Sequence, residues 1–163
     1  MVSEFRRSCT SDDGYRLATQ IAPLAKVYHL GVYDAPEAIA ETGFDTAIGI
    51  EVVEHLYRPD ALIRFAANKL ADNGILILSS PYHGWLKNNL ICVLDQWDRH
   101  HNSLTNGGHI KFFSKATLSR LLDIHGFAVV EFIGVGRVRW LWKSMILVAR
   151  KIPMAMGTQS TYP

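Results

Sequence analysis

"GIEVVEHLYRPD", residues 49–60, decides the fold because ionisable side chains follow directly on an apolar run. The run FDTAIGI (44–50) carries one charge near its start, which is typical of a strand buried on both faces. Glu51, Glu54 and His55 come next, and Pro59 marks the first turn of a helix. The stretch therefore predicts a buried strand whose carboxyl end opens into a turn with three ionisable groups.

Helices and strands alternate through the rest of the chain. Predicted strands cover 26–32, 44–50, 75–81, 127–133 and 142–150. Predicted helices cover 12–25, 35–43, 58–74 and 115–126, with Ser11 or Asp12 capping the first, Pro23 ending or kinking it, and Ser114 capping the last. This alternation indicates the α/β class with a mainly parallel sheet. Only about eight residues, GVGRVRWL, join the last two strands, so that pair is predicted to be antiparallel.

Composition sets bounds on the classes of function. The chain has 163 residues, 48% of them hydrophobic, and a net charge of +2, which is too small to indicate nucleic acid or an anionic membrane surface as a partner. Cys9 and Cys92 form no disulfide or zinc pattern, so a reducing, cytoplasmic setting is expected. The start lacks the apolar core of a signal peptide, and no apolar run is long enough to span a membrane. We expect one domain over 1–150 and a disordered tail over 151–163.

The three ionisable groups have two interpretations. In open α/β sheets, ligands bind beyond the carboxyl ends of the strands. On a helical turn, Glu51, Glu54 and His55 would share one side, which suits two carboxylate oxygens and one imidazole nitrogen on a divalent metal. Alternatively, Glu54 and His55 cap the local loop or form salt bridges within it. Spacing alone leaves both interpretations open.

Three motifs carry a resemblance to a known family. "EVVEH" (51–55), "NGILILSSP" (73–81) and "GHIKFFS" (108–114) occur in this order, separated by amphipathic helices. Over residues 12–150 the pattern resembles the second half of class I S-adenosylmethionine-dependent methyltransferases, near the ubiquinone-biosynthesis O-methyltransferase and type 11/12 groups. The resemblance implies a Rossmann-like sheet of strand order 3-2-1-4-5-7-6 and methyl transfer to an unidentified, small-molecule acceptor.

The resemblance also implies roles for particular residues. Ile50 and Glu51 would border the methionine end of S-adenosylmethionine, and Tyr33 and Asp34 its adenine edge. Some relatives bind a divalent metal through an E-x-x-E-H cluster and a downstream histidine. The corresponding candidates for magnesium, manganese or zinc are Glu51, Glu54, His55 and His109. Glu54 or His55 could instead be the catalytic base, and His109 could be a loop histidine bonded to backbone.

Residues 82–108 lie where such enzymes insert substrate-covering structure. The candidate substrate-binding residues are Tyr82, His83, Trp85 and His109. The alternative is a helix around Trp85–Leu94 that packs on the sheet, with His100 and His101 solvated.

Two departures from the family pattern bear on activity. The glycine-rich GxGxG loop and the acidic residue ending the second strand are not visible, and Cys9 stands where that acid would be. The one GxG, Gly134 to Gly136, lies between the last two strands and leads into no helix. The chain thus resembles the family from just after its cofactor loop and lacks its first strand. This predicts an exposed sheet edge and self-association.

The missing features also support a second hypothesis about function. The chain would then be a truncated, non-catalytic remnant that acts as a binding or assembly module, or a gene fragment.

Overall fold

The computed structural model of this chain describes residues 6–8, 11–21, 25–101, 104 and 108–153. Its contacts form two units, one up to Glu41 and one from Thr42 onwards. The features predicted at Cys9, at Pro23 and over 154–163 lie outside the described residues.

The described residues of the first unit form one α-helix and two short parallel strands, followed by a 3₁₀ turn. They are β1 (Arg6–Ser8), α1 (Asp12–Ile21) and β2 (Lys26–Tyr28), with β1 paired to β2. The Ser11 hydroxyl accepts the N–H of Gly14, so Ser11 is the cap of α1. Strand β1 was not predicted, because three residues with two arginines carry no strand pattern.

The helix predicted over 35–43 is wrong. The structure has a single 3₁₀ turn, Pro36–Ala38, after which Ile39 is extended. Glu41, near the end of the predicted helix, accepts hydrogen bonds from Lys26 Nζ and Tyr28 OH. These side-chain contacts favour an extended segment over a further helical turn, and the pKa of Glu41 falls to about 2, mainly because of the bond from Lys26.

The second unit is a four-stranded sheet with helices. Its strands are β3 (Phe44–Ile50), β4 (Leu70–Pro81), β5 (Phe127–Val135) and β6 (Ser144–Lys151), in the order β3-β4-β6-β5. β3 and β4 are parallel, and β6 is antiparallel to both β4 and β5, so three strands run in one direction. The order corresponds to 4-5-7-6 of the Rossmann-like sheet. The predicted α/β class and the antiparallel C-terminal pair are confirmed.

Two helices cover one face of this sheet. α2 (Pro59–Lys69) contributes Ile63, and α5 (Lys115–Ile124) contributes Leu118 and Leu122, all with no exposed surface. They pack with Leu78 of β4 and Leu147 of β6 in one hydrophobic cluster. Burial of each such side chain stabilises the fold by about 1.5–3 kcal/mol.

The opposite face of β3 is open, which corrects the prediction of a strand buried on both faces. Ile48 is 55% exposed and Ile50 is 68% exposed. Among the described residues, β3 pairs with β4 on one side and with no strand on the other. An apolar run of β-branched residues indicates a strand but does not show which of its faces is covered.

The predicted end of α2 at Asn73-Gly74 is also wrong. The helix ends at Lys69, Leu70 is already extended, and Asn73 lies within β4 with a φ of 62°. Lys151 Nζ donates to the carbonyls of Ala67 and Leu70, 2.8 Å from each. A lysine from the distant β6 therefore satisfies carbonyls at the end of α2, in place of a local glycine stop.

Two other local predictions are confirmed. Ser114 caps α5 through a capping box, since its hydroxyl accepts the Thr117 N–H and the Thr117 hydroxyl accepts the Ser114 N–H. Gly134 lies in β5 and leads into no helix. A Cβ on Gly134 would fall 2.1 Å from the Trp142 ring, so this glycine makes room for an indole. No helix in the described ranges is long and apolar enough to cross a membrane.

The open side of β3 generates a prediction about association. We expect the wild-type chain to self-associate and to bind a hydrophobic dye, because apolar side chains lie beside an unpaired edge. Ile48→Lys should weaken association by about tenfold or more, since burying an unpaired charge costs over ~1.4 kcal/mol. Analytical ultracentrifugation measures this, with Val93→Lys, at an 80% exposed helical site, as the matched control. A wild-type chain that stays monomeric and binds no dye would contradict the prediction.

Candidate functional site

The site begins at the carboxyl end of β3, where Glu51 holds a left-handed backbone conformation with a φ of 51°. This conformation costs a residue other than glycine about 1 kcal/mol. The Glu51 N–H is 3.2 Å from the Ser79 carbonyl and 3.1 Å from the Ser79 hydroxyl. These contacts with β4 hold the strained turn in place.

Serine hydroxyls from two strands fix the Glu51 carboxylate. Its Oε1 lies 2.9 Å from Ser79 Oγ and 2.9 Å from Ser144 Oγ. The Ser144 hydroxyl is also 2.9 Å from the Ser80 carbonyl, so it can donate to one acceptor or the other. Glu51 is thus oriented by the ends of β3, β4 and β6 together.

Glu54 lies in the 3₁₀ turn Val53–His55 and is fully buried. Neither carboxylate oxygen has a hydrogen-bond partner in the described part of the chain. Burial raises the pKa of this carboxyl to about 7, and the charge of Glu51 acts in the same direction. A buried carboxylate without donors is costly, and functional sites are the usual place for one.

Backbone hydrogen bonds bring the "GHIKFF" loop onto this turn. The Glu54 carbonyl accepts the N–H of Ile110 at 2.9 Å and that of Lys111 at 3.0 Å. His55 Nδ1 lies 3.2 Å from the Gly108 carbonyl. Because a carbonyl only accepts, Nδ1 is the donor, and in the neutral form of the ring Nε2 carries the lone pair. The loop therefore places His109 beside Glu54 and His55.

Three of the four predicted metal ligands converge. His55 Nε2 is 3.9 Å and His109 Nε2 is 4.0 Å from Glu54 Oε1, and the three ligand atoms lie within 4.8 Å of one another. Two ligands at about 2.1 Å from one metal can be at most ~4.2 Å apart, so the group needs only small rotations to fit an ion. Glu51 is not in this group, and its place among the ligands stays a prediction.

A cavity of about 210 Å³ lies beside the group. Its lining comes from the ends of the strands, from α3 (Trp85–Val93), from α4 (Trp97–His100) and from the "GHIKFF" loop that carries His109. The lining residues are Glu51, Pro81, His83, Lys87, Ile91, His100, His101, His109, Lys143 and Ser144. His109 belongs both to the cavity wall and to the possible metal group.

The four predicted substrate residues fall into two pairs. His83 and His109 line the cavity. Tyr82 does not line it: its ring is buried and packs edge-on against Trp142, with centroids 5.1 Å apart. Trp85 is 78% exposed at the start of α3 and does not line it either. The substrate roles of all four stay predictions.

Aromatic contacts order the imidazoles of the cavity. The ring centroid of His101 lies 4.2 Å from that of Trp97 and 4.9 Å from that of Phe112, so His101 is packed rather than solvated. His100, in contrast, is exposed. Burial lowers the pKa of His83 to about 4 and also lowers the pKa of His101 and of His109. These three rings are therefore mainly neutral at pH 7.

Lys87, Lys143, Ser79 and Ser144 were not among the predicted site residues. Ser144 could have been found, because the start of an antiparallel strand lies at the same edge as the ends of its parallel neighbours. No sequence signal distinguishes Lys87 from a solvated helical lysine.

The predicted cofactor residues lie in both units. Ile50 and Glu51 are at the end of β3. In the first unit, Tyr33 is 56% exposed, and Asp34 Oδ2 accepts the Gly31 N–H at 2.6 Å, which closes a turn. Their roles in cofactor binding stay predictions.

Comparisons with known proteins agree with this architecture. Residues 4–132 match the family model described as a methyltransferase domain. No curated protein sequence matches the chain. Solved structures match it at 11–17% identity, a likeness that shows the fold alone.

Three of these structures illustrate the match. A Burkholderia thailandensis 1,6-didemethyltoxoflavin-N1-methyltransferase with bound S-adenosylhomocysteine has 14% identity and a TM-score of 0.62, over 91% of this chain and 61% of its own. A Synechocystis magnesium protoporphyrin IX methyltransferase with the same ligand has 17% identity and a TM-score of 0.64, and the match covers 91% of this chain and 64% of that protein. A Haloferax volcanii complex with the Trm112 methyltransferase activator has 11% identity and a TM-score of 0.72, over 96% and 75%. The chain thus spans less than two thirds of the first two.

The raised pKa of Glu54 predicts a pH dependence of stability. Between the ordinary value of 4.5 and about 7, the folded state keeps a proton that the unfolded state releases. The contribution of Glu54 to the free energy of unfolding should therefore fall as pH rises through this range, by about 3 kcal/mol, and level off above it, whereas His83, with its lowered pKa, contributes in the opposite direction. The difference in unfolding free energy between wild type and Glu54→Gln isolates this contribution and should fall by about 3 kcal/mol from pH 4.5 to above 7, in denaturant titrations with a chelator present.

Glu131→Gln, at an exposed site on β5, is the matched control and should keep the wild-type profile. Superimposable pH profiles for wild type and Glu54→Gln would contradict the assignment of a protonated carboxyl at this position.

Proposed function

We propose that this chain, which belongs to the family of methyltransferase domains, carries out S-adenosylmethionine-dependent methyl transfer to a small-molecule acceptor. The observation that carries the proposal is the buried carboxylate of Glu54, for which the described residues supply no hydrogen bond of standard geometry, beside two histidines at the carboxyl edge of the sheet and next to a cavity. Ligands of α/β sheets bind at this edge. A cytoplasmic location stays part of the proposal.

Glu51 and Ile50 are proposed to hold the methionine end of the cofactor. Bound S-adenosylmethionine would supply an electrophilic methyl group on a sulfonium sulfur. The Glu51 carboxylate is held by two serine hydroxyls, so it can pair with an α-amino group at little cost in side-chain entropy. Ile50 offers an exposed apolar surface next to it. Tyr33 and Asp34 are proposed for the adenine edge from the family resemblance.

Glu54, His55 and His109 are proposed to hold a divalent metal. Two imidazoles and one carboxylate suit zinc or manganese better than magnesium, which prefers oxygen ligands. A cation there would polarise an acceptor hydroxyl and ease its deprotonation. Glu51 remains the proposed fourth ligand, reached if its carboxylate exchanges serine contacts for the ion.

The same residues can act on the acceptor's proton. As the alternative to metal binding, the Nε2 lone pair of His55 and the Glu54 carboxylate are the groups placed to take a proton from an acceptor hydroxyl when no ion occupies them. The acceptor oxygen then forms its bond to the methyl carbon as the carbon–sulfur bond breaks. His83 and His109 on the cavity wall are proposed to orient the acceptor, whereas the positions of Tyr82 and Trp85 favour structural roles.

A second candidate function is a non-catalytic assembly module. The exposed Ile48 and Ile50 and the unpaired side of β3 favour it, since a partner could bind an apolar strand edge. The Haloferax volcanii relative was solved in a complex with an activator protein. The two candidates differ in whether the chain binds cofactor.

Calorimetry with S-adenosylhomocysteine tests the proposal. We expect the wild-type chain to bind it, and Glu51→Gln to weaken binding by about 10- to 100-fold, because a hydrogen bond to a charged group contributes about 1.5–3 kcal/mol. Glu131→Gln should bind as the wild type does. A folded wild-type chain that gives no binding heat would contradict the methyltransferase proposal and leave the assembly module.

A further inference from the structure

Lys87 is a buried cation for which the described part of the chain offers no carboxylate partner. It lies in the first turn of α3 and is 8% exposed. Its ammonium donates one hydrogen bond, to the Tyr82 carbonyl at 2.7 Å. Nowhere in the described ranges does an acidic side chain form an ion pair with it, and the Tyr82 carbonyl is the one protein acceptor found there for its three protons.

This arrangement is costly to the protein on its own. Removing an ammonium from water costs several kcal/mol unless a counter-ion compensates. Burial accordingly lowers the pKa of Lys87, and the charge of Arg137 lowers it further. A leucine or methionine could occupy this helical position without the cost of desolvating an ammonium group. The buried charge is therefore better explained by a ligand than by packing.

The cavity that Lys87 lines is rich in donors and poor in acceptors. Two lysines, the buried Lys87 and the exposed Lys143, are among its lining residues. Glu51 is the one carboxylate there, and its Oε1 is already bonded to serine hydroxyls. His83 Nε2 is buried and makes no hydrogen bond of standard geometry among the described residues, although the Asn88 side chain lies beside the ring, and a neutral ring can carry its proton on that atom.

We propose that this cavity binds an oxyanion of the methyl acceptor, a carboxylate or phosphate group, with the Lys87 ammonium as its counter-ion and His83 Nε2 as a second donor. The inference rests on the proposed function, because it takes the cavity as the acceptor site. The volume of about 210 Å³ accommodates such a group together with the atoms that join it to the methylated oxygen.

The competing explanation is that Lys87 only anchors α3 to the Tyr82 carbonyl. A structural lysine of that kind would not respond to anions in solution. The two explanations therefore differ in anion binding, which is measurable without cofactor and without methyl transfer.

Isothermal titration with inorganic phosphate and, separately, with acetate tests the proposal on the full chain at constant ionic strength with a chelator present. We expect the wild type to bind at least one of the two, and the stronger of them identifies the acceptor's group. Lys87→Met should weaken that binding at least tenfold, whereas Lys115→Met, at an exposed lysine of α5, should leave it unchanged.

A side-chain NMR titration of the wild type covers the case in which Lys87→Met fails to fold. The anion should shift the His83 ring nitrogens more than those of His125, a helix-cap histidine. No anion binding by the wild type, equal binding by Lys87→Met, or unshifted His83 signals would overturn the proposal. Binding of S-adenosylhomocysteine, which does not require Lys87, separates this failure from failure of the proposed function.

Discussion

Glu54 is the residue on which the rest of the site depends. Its carbonyl accepts two N–H groups of the 108–114 loop, and its carboxylate is buried beneath the histidines that this loop and the 3₁₀ turn supply. One residue thus joins the end of β3 to the segment that leads into α5. These two backbone bonds and the contact of His55 Nδ1 with the Gly108 carbonyl hold His109 near His55, although the two histidines are far apart in sequence.

Around Glu54, the structure keeps several features that lower stability. Glu51 has a left-handed backbone, and the described residues supply neither a donor for the Glu54 carboxylate oxygens nor a counter-ion for Lys87. Each costs on the order of 1 kcal/mol or more. All three lie at the carboxyl edge of one sheet, and a cluster of locally unfavourable features is typical of a functional site. The well-packed face under α2 and α5 supplies the stability that offsets these costs.

Much of the fold could be predicted, because its signals are local. The strands β3, β4 and β6, the Ser114 cap and the antiparallel final pair follow from apolar runs, a capping residue and a short connection. The end of α2 could not be predicted, since Lys151 satisfies its last carbonyls from another strand. The exposure of Ile48 could not be predicted either, because an apolar strand pattern does not reveal which neighbours are present.

The candidate site was predicted in part. The resemblance to a family groups the residues of "EVVEH" with those of "GHIKFFS", and the structure brings Glu54, His55 and His109 together. Tyr82 was read as a pocket residue because aromatic side chains suit both pockets and cores, and only packing against Trp142 tells them apart. Lys87 was missed because burial of a helical lysine depends on tertiary contacts.

Metal titration tests the central claim, that Glu54, His55 and His109 form one ligand group. Calorimetry with zinc and with manganese should show one ion per wild-type chain. Glu54→Gln and His109→Ala should each weaken binding by at least about tenfold, since each removes a direct ligand. His125→Ala, distant in sequence from the group, should bind as the wild type does. Equal affinities in all four proteins would contradict the account and leave these side chains a structural role only.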